Sequence, residues 1–198
     1  MPLTKEDRIR NKIIKIKKAL AADKKRWGGY YDDSRGLRYS PPELYLKLND
    51  YKGAFRYFKW FEKNFPDDIG YPIFLFEWAI TLFKNNKLLE TEKKILETFI
   101  SNIYLIDRFL GKELLHFEIN ESSGWEEETI LEYLHYTKDQ DQLHDFAQWL
   151  IQFLNNERFI KIANEFIEIE KQLRIEPAGK KRTNLVHIRS HLLDDYFN

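Results

Sequence analysis

The sequence predicts an all-α fold of about ten helices, and three observations support this prediction. Apolar residues recur every three or four positions along most of the chain, which is the spacing of a helix face packed on a core. No segment alternates apolar and polar residues for long enough to form a strand. Gly (8) and Pro (6) are sparse among 198 residues, whereas an all-β chain needs a turn about every ten residues.

The first predicted helix is basic and runs from Thr4 to about Arg26. Thr4 and Asp7 have the spacing of a capping box, and apolar residues then share one face: Ile9, Ile13, Ile16 and Leu20. Residues 1–30 carry ten Lys or Arg against three Asp or Glu. We expect this basic amphipathic helix to dock on a helical domain spanning 31–198, or to form one domain with it, with its cations exposed. The alternative is contact with the phosphates of nucleic acid or with acidic lipid.

A loop and a helical hairpin are predicted next. Residues 27–36 contain three glycines and an acidic pair, which favour a loop. The run Ser40-Pro41-Pro42-Glu43 predicts a helix start, because the serine can cap, the prolines suit the first turn and the glutamate can bond back to the cap. Asn49-Asp50 then makes a turn into a helix that ends before Pro66, since proline disfavours helix in the residue preceding it.

The middle of the chain is divided by similar signals into three helices, predicted over 72–84, 87–101 and 103–110. Asparagine tolerates the left-handed conformation at a helix C-terminus, which accounts for Asn49 and for Asn85-Asn86 at the hairpin tips. Gly111 ends the third of these helices. Residues 112–122 lack helical periodicity and are predicted to form an extended connection.

Three or four helices are predicted in the last third of the chain. Ser123-Gly124-Trp125-Glu126 resembles a second capping box and predicts a helix to about Tyr136. Another helix is predicted over 141–154, and Asn155-Asn156 turns the chain into one that ends near Ile175. The last is predicted from Pro177 or Ala178 to about Tyr196.

Composition excludes several classes of protein. The sequence has no cysteine, so disulfides, zinc–thiolate sites and thiol nucleophiles are absent. No apolar run approaches the roughly 18 residues that a membrane-spanning helix requires. The basic N-terminus has no uninterrupted apolar core and therefore does not resemble a secretory signal. We expect a cytoplasmic protein that does not enter a membrane.

The hairpin around Asn49 carries a spacing with a packing reason. Tyr45 is followed by Ala54, by Phe58 four residues later and by Pro66. A small residue lets paired helices approach, an aromatic residue fills the gap one turn on, and proline ends the unit. This pattern resembles the second half of a tetratricopeptide repeat. The tryptophan and Leu-Gly of the first half are missing, and Arg38, Pro41 and Pro42 stand in their place.

A looser second unit supports the same resemblance, with Ala79 and Leu82 at the small and aromatic positions of its first helix and Asn86 at the turn that corresponds to Asn49. The longer run from Arg35 to Trp125 is similar to uncharacterised bacterial tetratricopeptide-like proteins. The resemblance implies an irregular TPR-like helical-hairpin solenoid that binds other proteins. It supplies no catalytic residues.

Aromatic residues indicate where a partner would bind. Fifteen Phe, eleven Tyr and five Trp exceed what a few helical layers need, and surface aromatics together with Arg dominate protein interfaces. The residues predicted to contact a partner lie in or near the first helices of the hairpins and their loops: Tyr30, Tyr31, Arg35, Arg38, Tyr39, Tyr45 and Tyr71.

A second charged region lies past the middle of the chain, where residues 116–145 carry nine Asp or Glu against Lys138 alone. The glutamates predicted to form an acidic surface are Glu118, Glu121, Glu126, Glu127, Glu128 and Glu132. Such a surface could occlude a basic active site by charge complementarity, as a bacterial immunity protein neutralises a toxin. A housekeeping adaptor is the other form of the same hypothesis.

Catalytic and metal-binding patterns are weak. His187 and His191 are four apart, with Asp194 or Asp195 one turn on, which is a spacing that metal sites use. A solvated helix with Val186, Leu193 and Phe197 packed inward explains the same residues. His116 and the nearby glutamates are interpreted as a solvated acidic surface, although convergence in a cleft would allow acid–base chemistry.

No glycine-rich phosphate loop and no Gly-x-Ser-x-Gly motif occurs in the sequence. The sequence therefore predicts a non-catalytic protein-binding module with no cofactor and no metal. The alternative function is nucleic-acid binding through the basic N-terminal helix, although nucleic acid is not the expected partner.

Overall fold

The computed structural model describes residues 3–120 and 126–194, and within these ranges the regular structure is entirely helical. Nine α-helices occur there: α1 Lys5–Arg26, α2 Pro41–Lys47, α3 Tyr51–Asn64, α4 Pro72–Lys84, α5 Leu88–Ser101, α6 Leu105–Phe109, α7 His144–Leu154, α8 Glu157–Ile175 and α9 Lys180–His191. Three 3-10 segments accompany them: Leu37–Tyr39, Glu128–Tyr133 and Asp141–Leu143. The prediction of an all-α fold with about ten helices is confirmed.

The chain divides into two compact units. The first unit comprises the residues up to Gly70 together with Phe76–Thr91. The second comprises Tyr71–Leu75 together with the chain from Glu92 onward. In neither unit does a described helix combine the length and the apolar character that crossing a bilayer requires.

Helix α1 begins as the sequence predicts and docks through its apolar face. The backbone N–H of Asp7 donates to Thr4 Oγ1 (3.1 Å), and the backbone N–H of Thr4 donates to Asp7 Oδ2 (3.0 Å), so the capping box is confirmed. One buried cluster joins α1 to α2: Ile13, Ile16, Leu20 and Leu44, with Ile9 partly buried against it. Docking through this stripe leaves the Lys and Arg of α1 on its outer faces.

Helix α2 begins differently from the prediction. Pro41 and Pro42 occupy its first turn as expected, but the Ser40 side chain makes no capping hydrogen bond. A capping serine has an extended backbone, whereas the ψ of Ser40 is −31° because the 3-10 segment Leu37–Tyr39 leads directly into the helix. Glu43 forms an ion pair with Lys47 one turn on.

All three asparagine turns are confirmed, and two of them use a left-handed asparagine as predicted. Asn49 (φ 53°) and Asn86 (φ 57°) are left-handed, which is the conformation expected of asparagine at the end of a helix. Asn155 has a right-handed backbone (φ −87°), and the side chain of Asn156 caps α8 by accepting from the N–H of Arg158. The third turn therefore uses asparagine as an N-cap.

Gly53 of α3 lies close against Tyr45 of α2 and against its own N-cap, Asp50. A Cβ added there would lie 2.3 Å from Asp50 Oδ2 and 2.7 Å from Tyr45 Cε1. Asp50 cannot move away without loss, because its Oδ1 caps α3 by accepting from the N–H of Gly53 (2.8 Å). This close packing requires glycine even though the position is helical.

We expect Gly53→Ala to destabilise the protein by about 1–2 kcal/mol, because overpacking outweighs the roughly 1 kcal/mol by which alanine is favoured in a helix. Urea unfolding followed by circular dichroism measures the change. Gly179→Ala serves as the control, because a Cβ at Gly179 meets nothing within 4 Å. Equal or greater stability of Gly53→Ala would contradict the close packing at α2 and α3.

The helix predicted from Ser123 to about Tyr136 is wrong over its described part. Glu128–Tyr133 forms a 3-10 segment, while Ser123-Gly124-Trp125 lies outside the described residues. Ile130 and Leu131 in this segment are both buried. The side-chain amide of Asn102 also donates to the carbonyl of Glu127 (3.0 Å), which ties the segment to residues far away in sequence.

Other boundaries in the second unit shift slightly. The helix predicted from residue 141 opens with the 3-10 segment Asp141–Leu143 before α7 begins. The last helix begins at Lys180, after Gly179, and α9 ends at His191, before the predicted end near Tyr196, which lies outside the described residues. The connection after Gly111 (φ 64°) is irregular as far as Asn120, which agrees with the prediction.

Candidate functional site

The loop after α1 is fixed by two aspartates. Asp33 Oδ1 accepts from the N–H of Leu37 (2.8 Å), and Asp33 Oδ2 accepts from the N–H of Arg38 (2.9 Å). Asp23, on α1, accepts through Oδ2 from the N–H groups of Asp32 (2.9 Å) and Asp33 (3.3 Å). These bonds attach the loop to the C-terminal end of α1 and give it a defined shape.

Arg38 lies at the centre of a charged network in the same unit. Its Nε donates to Asp68 Oδ2 (2.7 Å), and its Nη1 donates to Asp33 Oδ2 (3.1 Å). Its Nη2 donates to the hydroxyl of Tyr39 (3.0 Å), which in turn donates to Asp68 (2.7 Å). The guanidinium also lies over the rings of Tyr39 (4.4 Å) and Phe65 (5.2 Å). The guanidinium of Arg38 is therefore fully engaged by partners within the fold.

The network shifts the pKa values of its members. Burial, together with the hydrogen bond to Asp68, raises the pKa of Tyr39 to about 12. Burial acts to raise the pKa of Asp68, but the hydrogen bonds from Tyr39 and Arg38 outweigh it and leave that pKa below its ordinary value. At neutral pH the phenol is protonated and the carboxylate is ionised, which is the pairing that the hydrogen bond requires.

The raised pKa of Tyr39 predicts a loss of stability in alkali. Because the folded-state pKa of about 12 exceeds the ordinary 10.0, the stabilisation is complete below pH 10 and is lost as the pH rises towards 12. Urea unfolding of the wild type and of Tyr39→Phe at about pH 9 and about pH 11 tests this. The stability advantage of the wild type should shrink at the higher pH. Parallel pH dependences of the two proteins would contradict it.

A cleft of about 470 Å³ opens between α1 and the loop. Its apolar lining consists of Ala19, Leu20, Ala22 and Leu37. Its polar lining carries both signs of charge: Asp23, Arg26, Asp32, Asp33, Ser34 and Arg35. The lining is more polar than that of most small-molecule sites, and the volume is within the range that ligand sites occupy.

Two of the residues predicted to contact a partner are accessible near this cleft. Arg35 lines it, and Tyr30 is 79% exposed in the loop between α1 and the lining residue Asp32. Trp27 is a further accessible aromatic that was not among the predicted residues; it is the C-cap of α1 and is 50% exposed. A large aromatic residue directly before two glycines, at the end of an amphipathic helix, was the available signal.

The other predicted partner residues are engaged inside their own units. Tyr31 packs on Trp60 (centroids 5.8 Å apart) and on Phe65 (4.7 Å). Tyr45 is partly buried against the cluster that joins α1 to α2, and Tyr71 packs on Phe74. Arg38 and Tyr39 belong to the network described above. Contact of these residues with a partner stays a prediction.

The predicted acidic residues have different surroundings. Glu127 and Glu132 are exposed, and Glu118 forms an ion pair with Arg174 (3.1 Å). Glu128 is half-buried, with Oε1 3.4 Å from His116 Nδ1, while Glu126 lines a small cavity beside the buried Glu170. Glu121 lies outside the described residues.

The histidine pair lies on the exposed side of α9. The rings of His187 and His191 stack with centroids 4.3 Å apart. Among residues 3–120 and 126–194, no group of three His, Asp or Glu is arranged to hold a metal ion. Asp195 is outside these ranges.

The predicted inward face of α9 is wrong. Val186 is 40% exposed, whereas Leu185 and Leu192 are buried. Leu185 packs with Ile169 and Leu173 of α8, so the neighbouring helix selects a face displaced by one residue from the expected one. Leu193 is only half-buried, and Phe197 lies outside the described residues.

The cleft supplies several kinds of binding group: two guanidinium groups, carboxylates and apolar side chains.

No known protein family, characterised protein or solved structure matches the chain.

Proposed function

We propose that the protein is a non-catalytic module that binds a protein or peptide partner, and that the first unit carries the binding surface. The observation that supports this most directly is the pair of exposed aromatics, Trp27 and Tyr30, which lie in sequence between Arg26 and Asp32, two lining residues of a cleft with both signs of charge. Exposed aromatics next to Arg are the groups that dominate binding energy in protein interfaces. The hydrogen bonds of Asp23 and Asp33 pre-organise the loop, which lowers the entropy lost on binding.

A tetratricopeptide-like arrangement of helical hairpins is part of this proposal. It is supported by α2 and α3, where Ala54 and Phe58 are buried and Gly53 allows close approach. The small and aromatic residues thus stand at buried positions, as the repeat pattern requires of them.

Neutralisation of a toxin is a narrower form of the same proposal. Glu127 and Glu132 are exposed and would meet a basic active site, and no described ion pair involves either carboxylate. In this version the partner would bind the acidic segment of the second unit.

Photo-crosslinking tests the proposal and separates its two versions. Benzoylphenylalanine is placed at Tyr30 or, as a matched exposed tyrosine of the second unit, at Tyr133, which is 67% exposed. Irradiation in a lysate of the native cell should give a discrete protein adduct at Tyr30 that an excess of wild-type protein removes by competition. An adduct at Tyr133 alone would favour the acidic surface. No protein adduct at either position would overturn the proposal.

Nucleic-acid binding is the second candidate, and one observation favours it. Because α1 docks through its isoleucines, its Lys and Arg form an exposed array along one helix. A mobility shift with duplex and single-stranded DNA that weakens as salt rises would support this candidate. No shift at low salt would exclude it.

A further inference from the structure

One flank of α1 carries a regular stripe that leads into the cleft. Its members are spaced alternately four and three residues apart: Arg8, Lys12, Lys15, Ala19, Ala22 and Arg26. Side chains at this spacing lie on one face of an α-helix, so the stripe runs for about 27 Å along it. Ala19, Ala22 and Arg26 also line the cleft, which places the cleft at the end of a row of three cations.

The cations of this stripe are available for a partner. Among the described residues, no carboxylate lies within ion-pair distance of Arg8, Lys12 or Lys15. Arg26 lies over the ring of Trp27 (5.8 Å), and Arg35, across the cleft, has no described carboxylate partner either. Arg38, by contrast, is neutralised by Asp33 and Asp68. The stripe and Arg35 therefore present positive charge that the fold itself does not use.

The carboxylates of the cleft also differ in whether the fold provides them with partners. Asp23 accepts two backbone N–H groups, and Asp33 accepts two more and pairs with Arg38. Asp32 is exposed at the rim and has no described hydrogen-bond partner for its side chain. A uniform polyanion such as nucleic acid would meet repulsion from Asp32 in the cleft.

We infer that this flank binds an acidic amphipathic segment of a partner protein. The segment lies along α1 with its carboxylates against Arg8, Lys12 and Lys15, and inserts an apolar side chain into the cleft over Ala19 and Ala22. This inference rests on the proposed protein-binding function and names the chemistry of the partner.

Three features favour a polypeptide over a nucleic acid. Part of the cleft lining is apolar, which favours burial of a hydrophobic side chain, and an acidic protein segment carries one whereas a phosphate backbone does not. The rim has both signs of charge, which a polypeptide can match by placing a donor opposite Asp32. The two alanines leave room for another chain to approach the backbone of α1 closely.

Fluorescence anisotropy with the intact protein tests the inference. The first probe is a labelled helical peptide of about 18 residues that repeats Glu and Leu at helical spacing, and the second is the same peptide with Gln for Glu. A third probe is a labelled single-stranded oligothymidine of about 20 nucleotides. All are measured at low and at physiological salt, because screened contacts weaken with ionic strength.

Two triple variants carry the same change of charge on different faces of α1. Arg8→Glu/Lys12→Glu/Lys15→Glu reverses the stripe, whereas Lys17→Glu/Lys18→Glu/Lys25→Glu reverses exposed cations away from it. Ala22→Trp fills the cleft without changing charge. Far-UV circular dichroism of each variant verifies that the helical fold is retained.

We expect the Glu peptide to bind the wild type at least about tenfold more tightly than the Gln peptide. The stripe variant should weaken binding by about tenfold or more, the control triple by less than about threefold, and Ala22→Trp by about tenfold. Equal losses in both triples, or tighter binding of oligothymidine than of the Glu peptide, would overturn the inference. The inference would also be wrong if the Glu peptide did not bind. In that case a protein adduct at Tyr30 in the crosslinking experiment would still support the proposed function.

Discussion

Replacing Arg38 with alanine is expected to destabilise the first unit by about 3 kcal/mol, because it leaves a buried carboxylate without its counter-ion. The side chain of Asp33 is 2% exposed, and Asp68 would lose an ion pair at the same time. The backbone N–H groups that bond to Asp33 remain, so the loss stays below that of a fully unpaired charge. Urea unfolding measures the total change, and hydrogen exchange at the backbone amides of positions 37 and 38 should accelerate.

Arg35→Ala is the matched control for this prediction. Arg35 lies in the same loop, three residues away, and has no described ion pair. We expect its removal to change stability by no more than about 0.5 kcal/mol. Arg38→Lys should recover only part of the stability, because lysine keeps the charge and loses the planar fork that reaches both carboxylates. If Arg38→Ala and Arg35→Ala were equally stable, the network would have no structural role.

Replacing Arg189 with alanine is expected to cost a similar amount, about 3 kcal/mol, in the second unit. Arg189 Nη1 donates to Glu170 Oε1 (2.9 Å), and Glu170 is only 3% exposed on α8. The other carboxylate oxygen has a distant donor, the side-chain amide of Asn120 at 3.5 Å. Loss of the guanidinium would therefore leave a buried charge, and hydrogen exchange should show early opening of α9.

Two further variants test the cause of this effect. Arg174→Ala removes an ion pair with the exposed Glu118 and should change stability by no more than about 1 kcal/mol. Glu170→Met combined with Arg189→Met replaces both charges with apolar side chains and should restore most of the stability. If the double variant were as unstable as Arg189→Ala, lost packing and not the unpaired carboxylate would explain the effect.

Most helix boundaries could be predicted because the signals act over a few residues. The capping box of Thr4 and Asp7, the proline before Ile73 and the left-handed Asn49 and Asn86 all stand where the sequence placed them. The isoleucine stripe of α1 was equally readable, since its spacing needs no knowledge of what it packs against.

The incorrect predictions share a different cause. The Ser40 cap is lost to the preceding 3-10 segment, and the 3-10 segment at Glu128 replaces an expected α-helix where Asn102 bonds to Glu127. The buried face of α9 is selected by Ile169 and Leu173 of α8. In each case contact with another segment of the fold outweighs a local preference for a cap or a helix, which amounts to about 1 kcal/mol or less.

The amino-acid pattern was enough to establish the helical class, the order of the helices and the basic face of α1, because these depend on neighbours within one or two turns. It could not distinguish Arg35 from Arg38, which have the same chemistry and lie in the same loop. Asp68, 30 positions further along the chain, forms an ion pair with Arg38, whereas Arg35 lines the cleft. Which cation serves the fold and which is available to a partner depends on a contact that only folding creates.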